Sequence, residues 1–227
     1  RYGNTTGVYH NGLWIGKSRR LLEQNLSFGK LLKDAGYATA IAGKWHCGIT
    51  MPYSQHGGFD EYCLWEGARE IDKLPGKPQY KAMYEGDGDH PRFWQPSIVQ
   101  NHKLLKTGAN DFGPDIFTNF ICDFIERNKD KPFLAYIATN APHGPFGDVP
   151  AKWLDYYTKK NLANDQYPQT AGHSIPGRAN LNTRARIFAM ISNIDDNVGS
   201  LFKELDRLGI TDDTLVIYLN DNGPNGS

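Results

Sequence analysis

Neither sign of charge predominates in this chain: its 227 residues carry 25 Lys plus Arg and 25 Asp plus Glu. The balance offers no basic tract for nucleic acid and no acidic tail. Cysteine is scarce, with only Cys47, Cys63 and Cys122. Three thiols cannot all pair with one another, and their spacing is not that of a zinc site. They leave the compartment open, because a domain of this size does not depend on disulfides. Long hydrophobic runs are also missing, and no stretch approaches the ~18 apolar residues of a membrane span. Arg1 to Val8 show neither a start methionine nor a signal pattern, and Pro224 to Ser227 follow a strand end with no closing helix. The expectation is a piece of a longer protein. Hydrophobic residues at 39% and charged residues at 22% give a globular balance, enough for one large α/β domain.

What is present is a repeated phrase. Residues 214 to 223 read Thr-Leu-Val-Ile-Tyr-Leu-Asn-Asp-Asn-Gly, an apolar β-branched run that stops on Asp221, Asn222 and Gly223. Such a run predicts a buried strand, with polar groups just past its carboxyl end. Tyr37 to Ala42 run likewise into Gly43-Lys44-Trp45-His46, and Phe133 to Ala138 into Asn140-Ala141-Pro142-His143. Open α/β sheets hold their ligands in the crevice at the carboxyl ends of the strands. Three such endings imply a single site.

Helical signals alternate with these strands. Ser27 can cap a helix carrying Leu31, Leu32 and Ala35, stopped by Gly36. Pro114 suits a first helical turn, and Ile116, Phe117, Phe120, Ile121, Phe124 and Ile125 form a core stripe. A later helix carries Ile187, Met190, Ile191, Ile194, Val198, Leu201, Leu205 and Leu208, with Gly209 as its stop. Asn101-His102 between Ile98-Val99-Gln100 and Lys103-Leu104-Leu105 predicts a two-residue hairpin. Residues 66–92 read as a surface excursion, and roughly 40 residues after His143 as an irregular loop. The pattern predicts a three-layer α/β sandwich: a mainly parallel central sheet with helices on both faces.

Each candidate site residue has two readings. Asp221 and Asn222 offer only oxygen, the ligand type of calcium or magnesium and not of zinc; Asp-Asn-Gly is equally a common turn. Lys44 and His46 flank Trp45, so in extended backbone they share a face while Trp45 packs the other way. Lysine is a point charge for an oxyanion and histidine a proton exchanger, although a surface Lys and a half-buried His are the plainer reading. His143 sits between Pro142 and Gly144-Pro145, a stiff backbone that suits a catalytic acid or a structural loop. Asp87, Asp89 and His90 lack the ligand spacing of a calcium hand and read as a solvated turn. Asp195-Asp196 reads as a solvated or locally bonded helix edge.

Taken in order, the motifs resemble the formylglycine-dependent sulfatase family of the alkaline-phosphatase-like superfamily. They are Leu31 to Ala40, Gly43-Lys44-Trp45-His46, Gly58-Phe59-Asp60-Glu61-Tyr62, Phe93-Trp94, Gly113-Pro114-Asp115, Lys131-Pro132-Phe133, Ala141-Pro142-His143, Asn193 to Gly199, and Leu215 through Gly223. The resemblance implies a sulfuric ester hydrolase with calcium held in part by Asp221 and Asn222. Lys44 would bind the sulfate and hold the nucleophile, His46 would hydrogen-bond the formylglycine hydrate, and His143 would contact the sulfate and protonate the leaving alcohol. None of the three cysteines stands in the family's Cys-x-Pro-Ser-Arg type motif. The formylglycine is therefore expected upstream of Arg1, residues 1–227 are expected to be a partial catalytic domain, and this polypeptide alone is expected to be inactive.

The implied substrate is a sulfate ester, by preference a sulfated glycan, with aromatics such as Trp65, Tyr80, Phe93, Trp94, Trp153, Tyr156 and Tyr157 available for stacking. The family implies a periplasmic, secreted or lysosomal setting; oligomeric state is not indicated. The rival readings are a phosphate or phosphonate monoester hydrolase on the same fold and a non-catalytic carbohydrate-binding relative.

Overall fold

The computed structural model describes residues 21–45, 51–65, 92–144, 146, 149–162 and 181–220. The chain divides into two compact units, residues 1–140 and 141–227, which are taken in turn.

In the first unit, α1 (Leu21–Gln24) and α2 (Phe28–Asp34) lead into β1 (Ala38–Lys44). Ser27 caps α2 as its residue type predicts: the Lys30 N–H donates to Ser27 Oγ at 3.0 Å. Gly36 follows the helix with φ +89°. Strands β2 (Glu61–Trp65), β3 (Ile98–Gln100) and β4 (Lys103–Leu104) come next, then α3 (Gly113–Asn128) and β5 (Phe133–Ala138). The five strands lie in the order β4-β3-β2-β1-β5. Pairs β1–β2 and β1–β5 are parallel, whereas β2–β3 and β3–β4 are antiparallel. The sheet is thus mixed, with its parallel part at β2, β1 and β5. The hairpin closes through Asn101 and His102, both at positive φ (46° and 66°), the geometry a two-residue turn between twisted strands requires.

Alternation along the strands sends residues to two faces, and each face carries a helix. On one side α3 packs on β1, β2 and β5, burying Phe117, Phe120, Ile121, Phe124 and Ile125, with Phe124 edge-on to Phe133. On the other, Ile41, Tyr62 and Leu64 gather Phe59 and Val99 into a core that also takes in Tyr136 and Trp45. Phe28 of α2 meets Phe59 and Tyr136 edge-on at 5.9 and 5.2 Å. The three-layer expectation is met. Strand β2, of which only Glu61 and Tyr62 belonged to a recognised motif, is a full core strand.

In the second unit, α4 (Ala151–Tyr157) packs on the long α5 (Leu181–Leu208), which ends at Gly209 with φ +70°. Helix α4 lies inside the stretch read above as irregular loop. Its proline cap makes no side-chain hydrogen bond, so the usual start signal is missing. Met190 and Leu205 of the expected α5 stripe are buried, but Ile191 is exposed.

One expectation is corrected. The run from Thr214 to Leu219 is not a buried strand: its backbone is irregular, and Leu215, Ile217 and Leu219 are 83%, 67% and 81% exposed. A strand needs a neighbour for its backbone donors and acceptors, and no strand among the described residues pairs with this one. The β-branched composition reports what the segment can become beside a partner and not what it forms without one.

Gly43 sets how closely β1 and β5 approach. It has φ +110°, and a Cβ at this position would lie 2.0 Å from the Ala138 carbonyl oxygen. Gly43→Ala therefore combines a disfavoured backbone with a clash against main chain, and should cost at least ~3 kcal/mol. Denaturant unfolding checks this; a loss below ~1 kcal/mol would mean that the strands part without penalty.

Candidate functional site

Because β1 and β5 are parallel neighbours, their carboxyl ends reach the same edge of the sheet. Lys44 is the last residue of β1 and pairs in register with Trp65, the last of β2. Trp45 packs into the core with Ile41, and Lys44, half-buried, alternates to the opposite side. His46 lies outside the described residues.

Two further polar groups stand at this edge. The Arg92 guanidinium lies 4.6 Å over the ring of Trp65, the register partner of Lys44, and burial pushes it down from the ordinary arginine value. Arginine still stays protonated, so the ends of β1 and β2 are associated with two cationic side chains. Asn140, two residues beyond β5, is only 3% exposed, and both Nδ2 and Oδ1 of its carboxamide lack a hydrogen-bond partner among the described residues. A buried unpaired amide costs about 1–3 kcal/mol, and native folds keep few of them. Sequence reasoning took Asn140 as part of a polar strand end and passed over Arg92. The available signal was an asparagine directly after an apolar run; for Arg92 there was none, since its ring partner is remote in sequence.

His143 belongs to the second unit and is exposed. Its Nδ1 is 2.8 Å from the Gly144 carbonyl oxygen. A carbonyl only accepts, so this contact places a proton on Nδ1.

Asp221 and Asn222 lie outside the described residues, as do Asp87, Asp89 and His90. Among the described residues no group of three or more His, Cys, Asp or Glu is arranged to hold a metal ion. By chemistry the pair offers two oxygen donors, compatible with calcium and too few to complete its shell of ~6–8. Asp196, read above as a solvated or locally bonded edge, instead joins α5 to α4: it accepts from Trp153 Nε1 at 2.7 Å and pairs with Lys152 at 3.2 Å.

Cys63, fully buried in the middle of β2, is excluded as a nucleophile. Burial pushes its thiol up to about 12, so at neutral pH it holds its proton and the reactive thiolate is absent. Cys122 lies on α3, and Cys47 is outside the described residues.

The raised Cys63 value has a consequence for stability. The folded thiol stays neutral to about 12, while an unfolded thiol ionises near 9.0. The stabilising contribution is complete below pH 9.0 and is lost as the pH rises towards 12. Unfolding free energy should accordingly fall more steeply over that window in the wild type than in Cys63→Ala. Parallel pH profiles would show that the thiol ionises within the fold.

Comparison with known proteins bears on what this edge serves. The sulfatase family model matches residues 1–226. The chain is 24% identical to an ulvan-active sulfatase of Formosa agariphila, over 98% of the chain and 39% of that protein. It is 27% identical to an N-acetylgalactosamine-6-O-sulfatase of Bacteroides thetaiotaomicron, over 99% of the chain and 49% of that protein. Among solved structures, Ps i-CgsB in complex with k-i-k-neocarrahexaose aligns with a TM-score of 0.53 at 25% identity, over 80% of this chain and 36% of that one. A Bacteroides thetaiotaomicron structure described with the metabolism of multiple glycosaminoglycans shares the fold, with a TM-score of 0.64 at 16% identity, over 92% of this chain and 44% of that one. The chain thus spans less than half the length of each of these relatives. With a family model matched along residues 1–226, the chain belongs to the sulfatase family.

Proposed function

We propose that the protein containing this sequence hydrolyses sulfuric esters, and that its substrates are sulfated carbohydrates. The observation that carries the reading is the family match along the chain together with Lys44 at the carboxyl end of a parallel strand. The carbohydrate preference is supported by the relatives: the names of two specify ulvan activity and an N-acetylgalactosamine sulfate, and a third holds a neocarrahexaose.

In this reading Lys44 supplies a fixed positive charge to the sulfate. As charge develops on the sulfuryl oxygens and the bridging oxygen, a preorganised cation lowers the barrier without having to reorganise. His143 donates a proton from Nε2 to the departing alcohol oxygen, and its Nδ1–H bond to Gly144 holds the ring for that transfer. His46 serves the nucleophile as a hydrogen-bonding base. Asp221 and Asn222 would contribute oxygen ligands to calcium, which would supply positive charge for the sulfate when bound. The nucleophile is the formylglycine that the family resemblance calls for, and Cys63 does not replace it.

The two side chains should fail differently in the full-length enzyme. Lys44→Ala removes charge from the sulfate itself, so rates should fall for every leaving group. His143→Ala removes the proton donor, so the loss should be largest, about 10²–10⁴-fold, for alkyl and sugar alcohols and small for nitrophenolate, which leaves as a stable anion. Cleavage of sulfate esters graded in leaving-group pKa reads this out. Equal losses across the series for His143→Ala would make it a sulfate clamp, and unimpaired turnover in both variants would remove the strand-end site altogether.

A further inference from the structure

The second unit carries a surface that the proposed chemistry does not use. Lys152, Tyr156 and Lys160 are spaced four residues apart along α4 and the turn that follows it. The turn continues the coil, with Thr158 N–H donating to the Leu154 carbonyl and Lys160 N–H to that of Tyr157. Four-residue spacing keeps side chains on one helix face. Lys152 Nζ sits 4.5 Å over the Trp153 ring, and Lys160 Nζ 4.4 Å over that of Tyr156.

The rings form a connected series. Trp153 meets Tyr156 edge-on at 6.1 Å, Tyr156 meets Tyr157 edge-on at 5.0 Å, and Tyr157 meets Phe188 of α5 at 5.5 Å. Two of them are tethered to α5: Trp153 Nε1 donates to Asp196 at 2.7 Å, and Tyr157 Oη lies 2.8 Å from Ser192 Oγ. Tyr156 has no such tether among the described residues and is 48% exposed. It is an aromatic ring held outward by anchored neighbours and bordered by cations.

We propose that this face of α4 is a second contact surface for the substrate, binding sulfated glycan away from the scissile ester; the proposal rests on the sulfatase reading above. A pyranose presents an apolar C–H face, which an exposed tyrosine ring can cover, and equatorial sulfates, which lysine ammonium groups attract. Cation–π contacts at exposed sites are worth only ~0.5–1 kcal/mol, so Lys160 is readily recruited from its ring to an anion, while Lys152 shares its charge with Asp196. Lys152, Lys159 and Lys160 give three positive charges against two negative ones from Asp155 and Asp196, and Asp196 is already engaged by Lys152 and Trp153. The chemistry favours a sulfated sugar over a nucleic acid, because the cations are few and are interleaved with rings. The placement also fits: the start of α4 is eight chain steps from His143, a reach of at most ~29 Å, within the span of an oligosaccharide.

The test uses the full-length enzyme with Tyr156→Ala and with the double variant Lys152→Ala/Lys160→Ala. The probes are 4-nitrophenyl sulfate and oligosaccharides of ulvan, carrageenan and chondroitin 6-sulfate. On a cleaved oligosaccharide, KM should rise about tenfold with kcat unchanged, while nitrophenyl sulfate kinetics stay as in the wild type. Unchanged KM on every oligosaccharide, or equal losses on nitrophenyl sulfate, overturns the proposal. If the wild type cleaves no sulfate ester, the hydrolase reading fails and binding decides the surface: affinity for sulfated but not desulfated oligosaccharide should be lost in the variants. Equal wild-type binding of polyglutamate also overturns it, since that would be charge attraction without sugar recognition.

Discussion

The close parallel pairing of β1 with β5 is the constraint on which the rest of the first unit depends. Two strands running the same way must send their carboxyl ends to one edge, and Gly43 permits the backbones to meet there without an intervening side chain. Lys44 then emerges beside the end of β5, and Trp45 is drawn into the core. Helices α2 and α3 bury the two faces and leave the strand ends as the place where polar side chains can collect. The edge accordingly holds Lys44, Arg92 against Trp65, and the unpaired carboxamide of Asn140. A fold seldom leaves a buried amide without partners, and Asn140 is such a group among the described residues.

Local chemistry made much of this legible. Ser27 announces its helix because its hydroxyl accepts from an orphan N–H, and Asn101-His102 announces a hairpin because both residues tolerate positive φ. The Phe and Ile stripe of α3 names its buried face directly. The misses have equally physical causes. Helix α4 begins on Pro150 without a side-chain cap, and its aromatic residues pack on α5, a remote element that a local reading does not supply. Strand β2 is short and flanked by Glu61 and Trp65, so its three buried residues give little periodicity. Leu215 to Leu219 carry a strand's composition without a strand's neighbour.

The candidate site divides similarly. Lys44 and His143 could be picked out because each ends an apolar run with a residue able to handle charge or protons. Arg92 could not, because its meaning comes from lying over Trp65, 27 positions earlier in the chain. The sequence names Tyr156 among several aromatics, but its outward setting depends on Trp153 and Tyr157 being tied to Asp196 and Ser192. Sequence identifies a side chain's chemistry, whereas its role comes from long-range contacts.

The central claim is that the edge formed by β1 and β5 belongs to an enzyme whose chemistry is sulfate-ester hydrolysis. A tetrahedral oxyanion of another element would also be met by cations at strand ends, so the decisive comparison holds the leaving group fixed and changes the transferred group. The kcat/KM of the full-length protein should be measured on 4-nitrophenyl sulfate and on 4-nitrophenyl phosphate under identical conditions. The account predicts the higher value for the sulfate, and a preference for the phosphate with no sulfate release would contradict it.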